Sequence, residues 1–492
     1  MSRFSMQGMP LLTYLSQQDI EAIHETALDI LEGCGVFFDS DEAVEILKEA
    51  GCTVDETTNI VKFPRSLVIE SIESAPEKIA LYDRDGEFYT ELGGNKCHFD
   101  PGSAPANILL SDGVTVREST SDDMRTVVKV TDFLSQMDFQ STALVCSDVP
   151  NDVGDMYRLY LVMKDSKKPV ITGAFDVPGI KRMHEMIKII RGSDEEVAKK
   201  PYAVFDICAS PPLKWSHISS QNIIDCARLG LPAELIAMSM PGAASPATLA
   251  GSIAQDVAEV LSGLTLSQVV KKGSPVIFAG APVRFDMRTG TTPMSAIEAV
   301  MISSACAQMA KYYGLPSHTY AALSDSKIVD TQAGYETALS GLLAALSGIN
   351  VISGAGGLDF IGTFSIEKLI IDAEIVGMIK KAVQGINVSP DTLARDLIIE
   401  LGPGGDFLTT KHTRKWFKKE QYIIGPVTDH RHRADWERLG KTDTFERARD
   451  YYESVIKQHP GTPLDDAKRK QLADYLQQIT KELNIELKPE QL

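Results

Sequence analysis

No two of the seven cysteines (Cys34, Cys52, Cys97, Cys146, Cys208, Cys226 and Cys306) stand in a CxxC or CxxH spacing. That excludes the usual zinc and disulfide frameworks and predicts reduced, buried thiols and no metal site. No apolar run approaches the ~20 residues of a membrane span, and the opening MSRFSMQGMPLL lacks the continuous apolar core of a signal peptide. A cytoplasmic protein is predicted. A basic surplus is missing as well: the formal net charge is -18, which argues against nucleic acid, because phosphate binding needs a basic surface. Phosphate-loop, nucleophile-elbow and zinc-protease motifs (GxxxxGK[ST], GxSxG, HExxH) are all absent.

What is present fits one large barrel with attached segments. The 492 residues are 43% hydrophobic and 24% charged, ordinary for a globular chain with a sizeable core. Residues 1–95 read as a helical extension. SQQDIEAIHETALDILEGCG carries Ser16 three residues before an acid and Ile20, Ile23, Ala27, Ile30 and Leu31 on one face. SDEAVEILKEAG and PRSLVIESIESAP predict two more helices, and IALYDRDGEFYTELGG predicts short turn-linked strands. From about residue 96 to 388, short apolar runs alternate with helical stretches: KCHFD, FQSTALVCSD, PVITGAF, AVFDICAS, AELIAMSM, PVIFAGA, SHTYAAL and INVISGAGG. Eight such repeats are what a (β/α)8 barrel, the TIM barrel, requires, with an open doubly wound sheet as the runner-up. Residues 389–492 are Gly-rich, then basic and aromatic in KHTRKWFKK, then a charged helix. They predict a C-terminal extension packed on the barrel or used between subunits of a homo-oligomer.

In such a barrel the active site is built at the C-terminal ends of the strands. Those ends offer Asp100, Phe175, Asp206, Arg284, Arg288, His318, Tyr320 and the run from Gly354 to Phe360. Aromatic and acidic side chains recur there, a pairing that suits an organic cation. Three glycines in GAGGLDF (Gly354, Gly356 and Gly357) allow a phosphate or a flat cofactor to approach bare backbone. Each feature also has an ordinary reading. The rings fill a barrel, Asp100, Asp206 and Asp330 cap helices, the glycines make turns, His318 is a structural histidine, and Arg284 and Arg288 pair with Asp286. GAGGLDFIG follows the last strand instead of the first, which argues against a nicotinamide site.

Five stretches, taken in order, resemble the trimethylamine methyltransferase superfamily of corrinoid-dependent methyltransferases. They are IHETALDILEGCGV, DMRTG at Asp286–Gly290, SDSKIVDTQAGYE from Ser324, ISGAGGLDF from Ile352, and LGPGGDFLTTKHT from Leu401. The resemblance implies a (β/α)8 barrel and a methyl transfer to Co(I) of a corrinoid. In the family's trimethylamine enzymes the region like Ser324–Gln332 holds pyrrolysine, with Ser326 or Lys327 the matching position. This sequence has only the twenty ordinary residues there, which points to a quaternary amine such as glycine betaine, with proline betaine and carnitine as other substrates. No DxHxxG cobalamin motif occurs, so the corrinoid is expected on a partner protein that meets Gly354, Gly356 and Gly357. For the substrate, Tyr320, Phe175 and Phe360 are the expected cage, Asp206 the balancing charge, and Arg284, Arg288 and His318 the carboxylate donors. Two other readings keep the barrel: a lyase using Lys327 as a Schiff-base nucleophile, and a non-catalytic betaine-binding protein.

Overall fold

The computed structural model describes residues 10–487. The first nine residues of MSRFSMQGMPLL and the closing KPEQL lie outside the described residues. Eight parallel strands make one sheet: β1 (His98–Pro101), β2 (Gln140–Ser141), β3 (Val170–Gly173), β4 (Ala203–Cys208), β5 (Ala233–Ala237), β6 (Val276–Gly280), β7 (Ser317–Tyr320) and β8 (Val351–Ala355). Their spatial order is β1-β8-β7-β6-β5-β4-β3-β2. The two edges meet where the Asp138 N–H donates to the Phe99 carbonyl at 2.7 Å and the Phe99 N–H donates to the Asp138 carboxylate at 2.8 Å. The sheet is therefore a nearly closed barrel and not the open runner-up. Each strand is followed by a helix: α1 (Ser121–Phe133), α2 (Asn151–Asp165), α3 (Gly179–Arg191), α4 (His217–Leu229), α5 (Leu249–Val270), α6 (Ile297–Tyr312), α7 (Thr331–Leu346) and α8 (Ile366–Val383).

Side chains alternate across a strand, and this alternation decides what fills the barrel. Phe139, Ile171, Val204, Ile277 and Val351 form an apolar floor, closed from beneath by Ile79, Leu81 and Leu92. Those three come from an antiparallel hairpin, Ile79–Tyr82 with Phe88–Leu92. Two residues further along their strands, Val204 and Val351 are succeeded by Asp206 and Ser353 on the same face. A polar layer thus sits directly on an apolar plug.

Outside the barrel, helices Gln17–Gly33, Asp41–Glu49 and Arg65–Ser74 pack on α5. The first opens with a capping box between Ser16 and Asp19, as its sequence predicts. Helix Thr444–Gln458 packs on α8, and Asp466–Glu482 packs on α2 and α3. The buried Arg84 clasps this tail by donating to the carbonyls of Met163, Thr462 and Pro463. Among the described residues no helix is long and apolar enough to cross a membrane. Three cysteines depart from the expected burial: Cys34, at the end of the first helix, is exposed, and Cys97 and Cys208 are half-buried.

Candidate functional site

The polar layer is a chain of contacts across the barrel. In register, Asp206 of β4 faces Glu234 of β5, and Ser353 of β8 faces both Tyr320 of β7 and Asp100 of β1. The Ser353 hydroxyl donates to Asp100 Oδ1 at 2.7 Å, so His318 Nε2, 3.1 Å from Ser353 Oγ, is the N–H donor to that hydroxyl oxygen. That tautomer leaves His318 Nδ1 as a bare lone pair, 3.5 Å from Glu234 Oε1. At the top of the layer Tyr320 donates to Asp206 Oδ2 at 3.3 Å.

Burial sets the protonation states here. His318 is pushed down to about 3 by loss of solvent, so it is neutral. Glu234 is raised well above the usual carboxyl range, first by burial and then by the neighbouring Asp206. Asp206 is raised too, through burial, but bonds from Glu234 and Tyr320 oppose the shift. Two buried carboxyls this close share a proton, since both cannot ionise. We assign that proton to Glu234 and the charge to Asp206, which has the donor from Tyr320 and the more open position.

A cavity of about 300 Å³ opens above this charge, lined by Asp206, Tyr320, Phe175, Cys208, Ser219 and Asn222 among others. No lysine or arginine lines it. A carboxylate beside aromatic rings, facing a cavity with no positive side chain in its lining, has the chemistry that suits an organic cation. The neutrality of His318 has a checkable consequence. In an unfolded chain histidine takes a proton near pH 6.5, whereas the fold refuses it down to about 3. Between those values the unfolded state binds the extra proton, so this residue's contribution to stability falls as pH is lowered. Urea midpoints at pH 7 and pH 5 are expected to differ more for the wild type than for His318→Gln.

The structure brings together Phe175, Asp206 and Tyr320 from the expected set, and His318 lies beneath them as a positioning group. It separates the others. Arg288 holds both oxygens of Asp286 at 3.0 and 2.6 Å, and Arg284 lies 3.4 Å from the same carboxylate. The pair keeps Asp286 well below the usual carboxylate range, and neither arginine lines the cavity. Phe360 is likewise no part of the cavity wall, and the Lys327 ammonium lies 4.1 Å from its ring centroid. Phe175 keeps its place in the wall, with the Arg158 guanidinium 4.8 Å from its ring centroid. The exposure of Gly354, Gly356 and Gly357 is corrected: all three are buried. A Cβ on Gly354 would meet the Ala321 carbonyl at 2.2 Å, and one on Gly356 the Phe364 ring at 2.5 Å. Glycine is needed there because protein atoms already fill the space.

The Ser324–Asp330 loop is a latch. Asp325 accepts from the N–H groups of Met294 and Ser295 at 3.0 and 2.8 Å. Glu336 accepts from the Ser324 hydroxyl and the Asp325 N–H. Ser326 bonds Asp330 Oδ1, which also caps α7. The Lys327 side chain is 62% exposed and paired with Asp359, so it is not the buried lysine that a Schiff-base mechanism requires. Glu234 and Ser353 had no place in the reading of the strand ends. The signal for Glu234 was there: a lone acid inside the apolar run AELIA is the informative kind of buried polar residue.

The family profile described as trimethylamine methyltransferase (MTTB) matches residues 1–484. Trimethylamine methyltransferase MttB of Methanosarcina barkeri (strain Fusaro / DSM 804) is 36% identical over 464 residues, covering 92% of each chain. Glycine betaine methyltransferase of Desulfitobacterium hafniense (strain Y51) is 32% identical over 482 residues, 98% of this chain and all of that one. Among solved structures, the Methanosarcina barkeri monomethylamine methyltransferase (MtmB) aligns over 98% of this chain and 91% of its own with a TM-score of 0.55. At 12% identity that likeness concerns the fold, which is the (β/α)8 barrel described above.

Proposed function

The chain belongs to the trimethylamine methyltransferase family and is a methyltransferase, and from that premise we propose that it is a cytoplasmic enzyme moving a methyl group from a quaternary amine, glycine betaine first among the candidates, to Co(I) of a corrinoid carried by a separate protein. The observation that supports this reading is the cavity over Asp206. It offers the Asp206 charge beside the Tyr320 ring, with no lysine or arginine among its lining residues, while the Phe175 ring in the same wall faces the Arg158 guanidinium.

The chemistry needs little more. When the N–CH3 bond breaks, its electron pair stays on nitrogen as a lone pair, while the carbon takes a pair from cobalt. A quaternary ammonium already carries the charge that makes a neutral amine the leaving group, so no proton has to be supplied. This agrees with a network whose one histidine is neutral and whose shared proton is buried below the cavity. The protein's tasks are to hold the cation by Asp206, to point one methyl outward and to exclude water, and positioning of that kind contributes several kcal/mol. With Arg284 and Arg288 engaged elsewhere, the far end of a betaine would meet Ser216, Ser219 and Asn222.

Product analysis tests the reading. Incubated anaerobically with reduced corrinoid protein, the enzyme is expected to convert glycine betaine to dimethylglycine, one for one with cobalt methylated, and to leave trimethylamine unchanged. Turnover of trimethylamine alone would overturn the quaternary-amine assignment.

A further inference from the structure

His184 is 2% exposed, and its Nε2 has no hydrogen-bond partner. A buried ring nitrogen in that state is uncommon, because the cost of desolvating it is normally offset by a bond. Helix α3 carries the ring on its buried face, and the chain then reverses at Gly192, where φ is 96°. The reversal lays Asp194, which opens the short helix Asp194–Lys199, back against α3. Its Oδ1 lies 3.6 Å from His184 Nε2, and Oε1 of Glu185 lies 3.8 Å from Nδ1 of the same ring.

One oxygen or nitrogen from each of these three side chains lies within 4.8 Å of the other two. Ligands of a tetrahedral zinc, about 2.1 Å from the metal, stand roughly 3.4 Å apart. The gap between His184 and Asp194 is therefore too long for a hydrogen bond but of the size that two ligands of one ion leave. Glu185 is half-buried and Asp194 exposed, so both carboxylates can turn to close the set around a fixed imidazole. Burial lowers the His184 pKa, which keeps the ring neutral, the form that ligates. A lysine already sits between the acids: the Lys188 ammonium is 2.5 Å from Glu185 Oε1 and 3.2 Å from Asp194 Oδ1. It pairs both carboxylates and leaves His184 Nε2 unmatched.

We propose that His184, Glu185 and Asp194 are the protein ligands of a first-row divalent metal ion, with Lys188 holding the two carboxylates when no ion is bound. Such an ion satisfies the imidazole and both acids at once, and the lysine, on its flexible stem, turns to solvent. An imidazole with carboxylates suits zinc and its neighbours, whereas magnesium and calcium take oxygen ligands. None of the three residues lines the cavity over Asp206. The ion is thus structural, tying the end of α3 to the helix after it, and the proposal is independent of the methyl-transfer reading. The CxxC and CxxH spacings could not reveal this site, because its ligands are an adjacent His–Glu pair and an aspartate beyond a glycine turn.

Zinc chloride titrated calorimetrically into the full-length protein, freed of metal by a chelator, tests it. The wild type is expected to bind zinc and to melt at a higher temperature in its presence, since an ion held only by the folded state stabilises that state. Asp194→Asn, an exposed change that spares the core, is expected to weaken binding by about 100-fold and to remove the zinc-dependent rise in Tm. His184→Gln should do the same. Lys188→Met is expected to bind zinc about tenfold more tightly, because the competing charge is gone; a mere ion-pair network predicts no such gain. No binding at submillimolar zinc, wild-type affinity in Asp194→Asn, or a Lys188→Met variant that binds no more tightly would each overturn the proposal.

Discussion

Asp206→Asn is expected to lower kcat/KM for a quaternary amine by on the order of 100-fold, the low end of what removing one partner of a buried charge pair costs. The carboxylate is the charge that faces the cavity, held by Tyr320 at 3.3 Å over a floor where Glu234 keeps the shared proton. Asparagine preserves the shape and the acceptor for Tyr320 while removing the charge, so the loss should appear mainly in KM, as weakened cation binding. Tyr320→Phe leaves Asp206 charged but without its donor and should cost less, about tenfold, in the range of a hydrogen bond to a charged group. An Asp206→Asn enzyme within threefold of wild type on every methylammonium substrate would mean that the cation binds elsewhere.

The largest stability effect is expected at Lys368, which is no part of the cavity wall. Lys368 is 1% exposed, and its ammonium bonds the buried Asp372 and the Thr337 hydroxyl at 2.9 Å. Asp372 in turn accepts the Gly356 N–H at 2.7 Å, which fixes the turn after β8 at the barrel mouth. Lys368→Ala takes the cation away from the buried Asp372, whose carboxyl burial already raises, and breaking such a pair costs about 3–5 kcal/mol. Replacing both members, Lys368→Met with Asp372→Leu, should destabilise less than the single change, because no buried charge is then left alone. Denaturant unfolding of the three proteins gives the comparison. A single variant as stable as wild type would show that the pair is solvated and carries little of the fold.

The barrel was legible in the sequence because its signal is repetitive. Eight apolar runs with helices between them each gave one strand, and a strand buried on both faces reads as a run whatever its exact ends. The helix starts at Ser16 and Ser40 were equally plain, since capping is local chemistry. The site was legible only in part. Asp206, Tyr320 and Phe175 stood at strand ends and meet at the cavity. Arg284, Arg288 and Phe360 stood at strand ends too, but loop geometry decided their fate. Asp286 turns back on Arg288 two residues later, and Asp359, Phe360 and Ile361 all take positive φ, at 51°, 57° and 61°. No periodicity encodes such a turn. The glycines of GAGGLDF misled for a related reason: glycine admits close approach, but the sequence does not say whether the approaching atoms belong to a cofactor or to Ala321 and Phe364. Ser353 was invisible because a serine in a strand becomes informative only when its cross-strand neighbours, Asp100 and Tyr320, are known.

The most direct test of the account is optical and anaerobic. Purified protein is mixed with Co(I) cobalamin or the reduced corrinoid protein and with glycine betaine, tetramethylammonium or trimethylamine, and the Co(I) absorption is followed. The account predicts its loss with a quaternary amine, no change with trimethylamine, and a rate that falls on the order of 100-fold in Asp206→Asn at subsaturating substrate. Co(I) that persists with every quaternary amine in the presence of the corrinoid partner, or wild-type rates from Asp206→Asn, would contradict it.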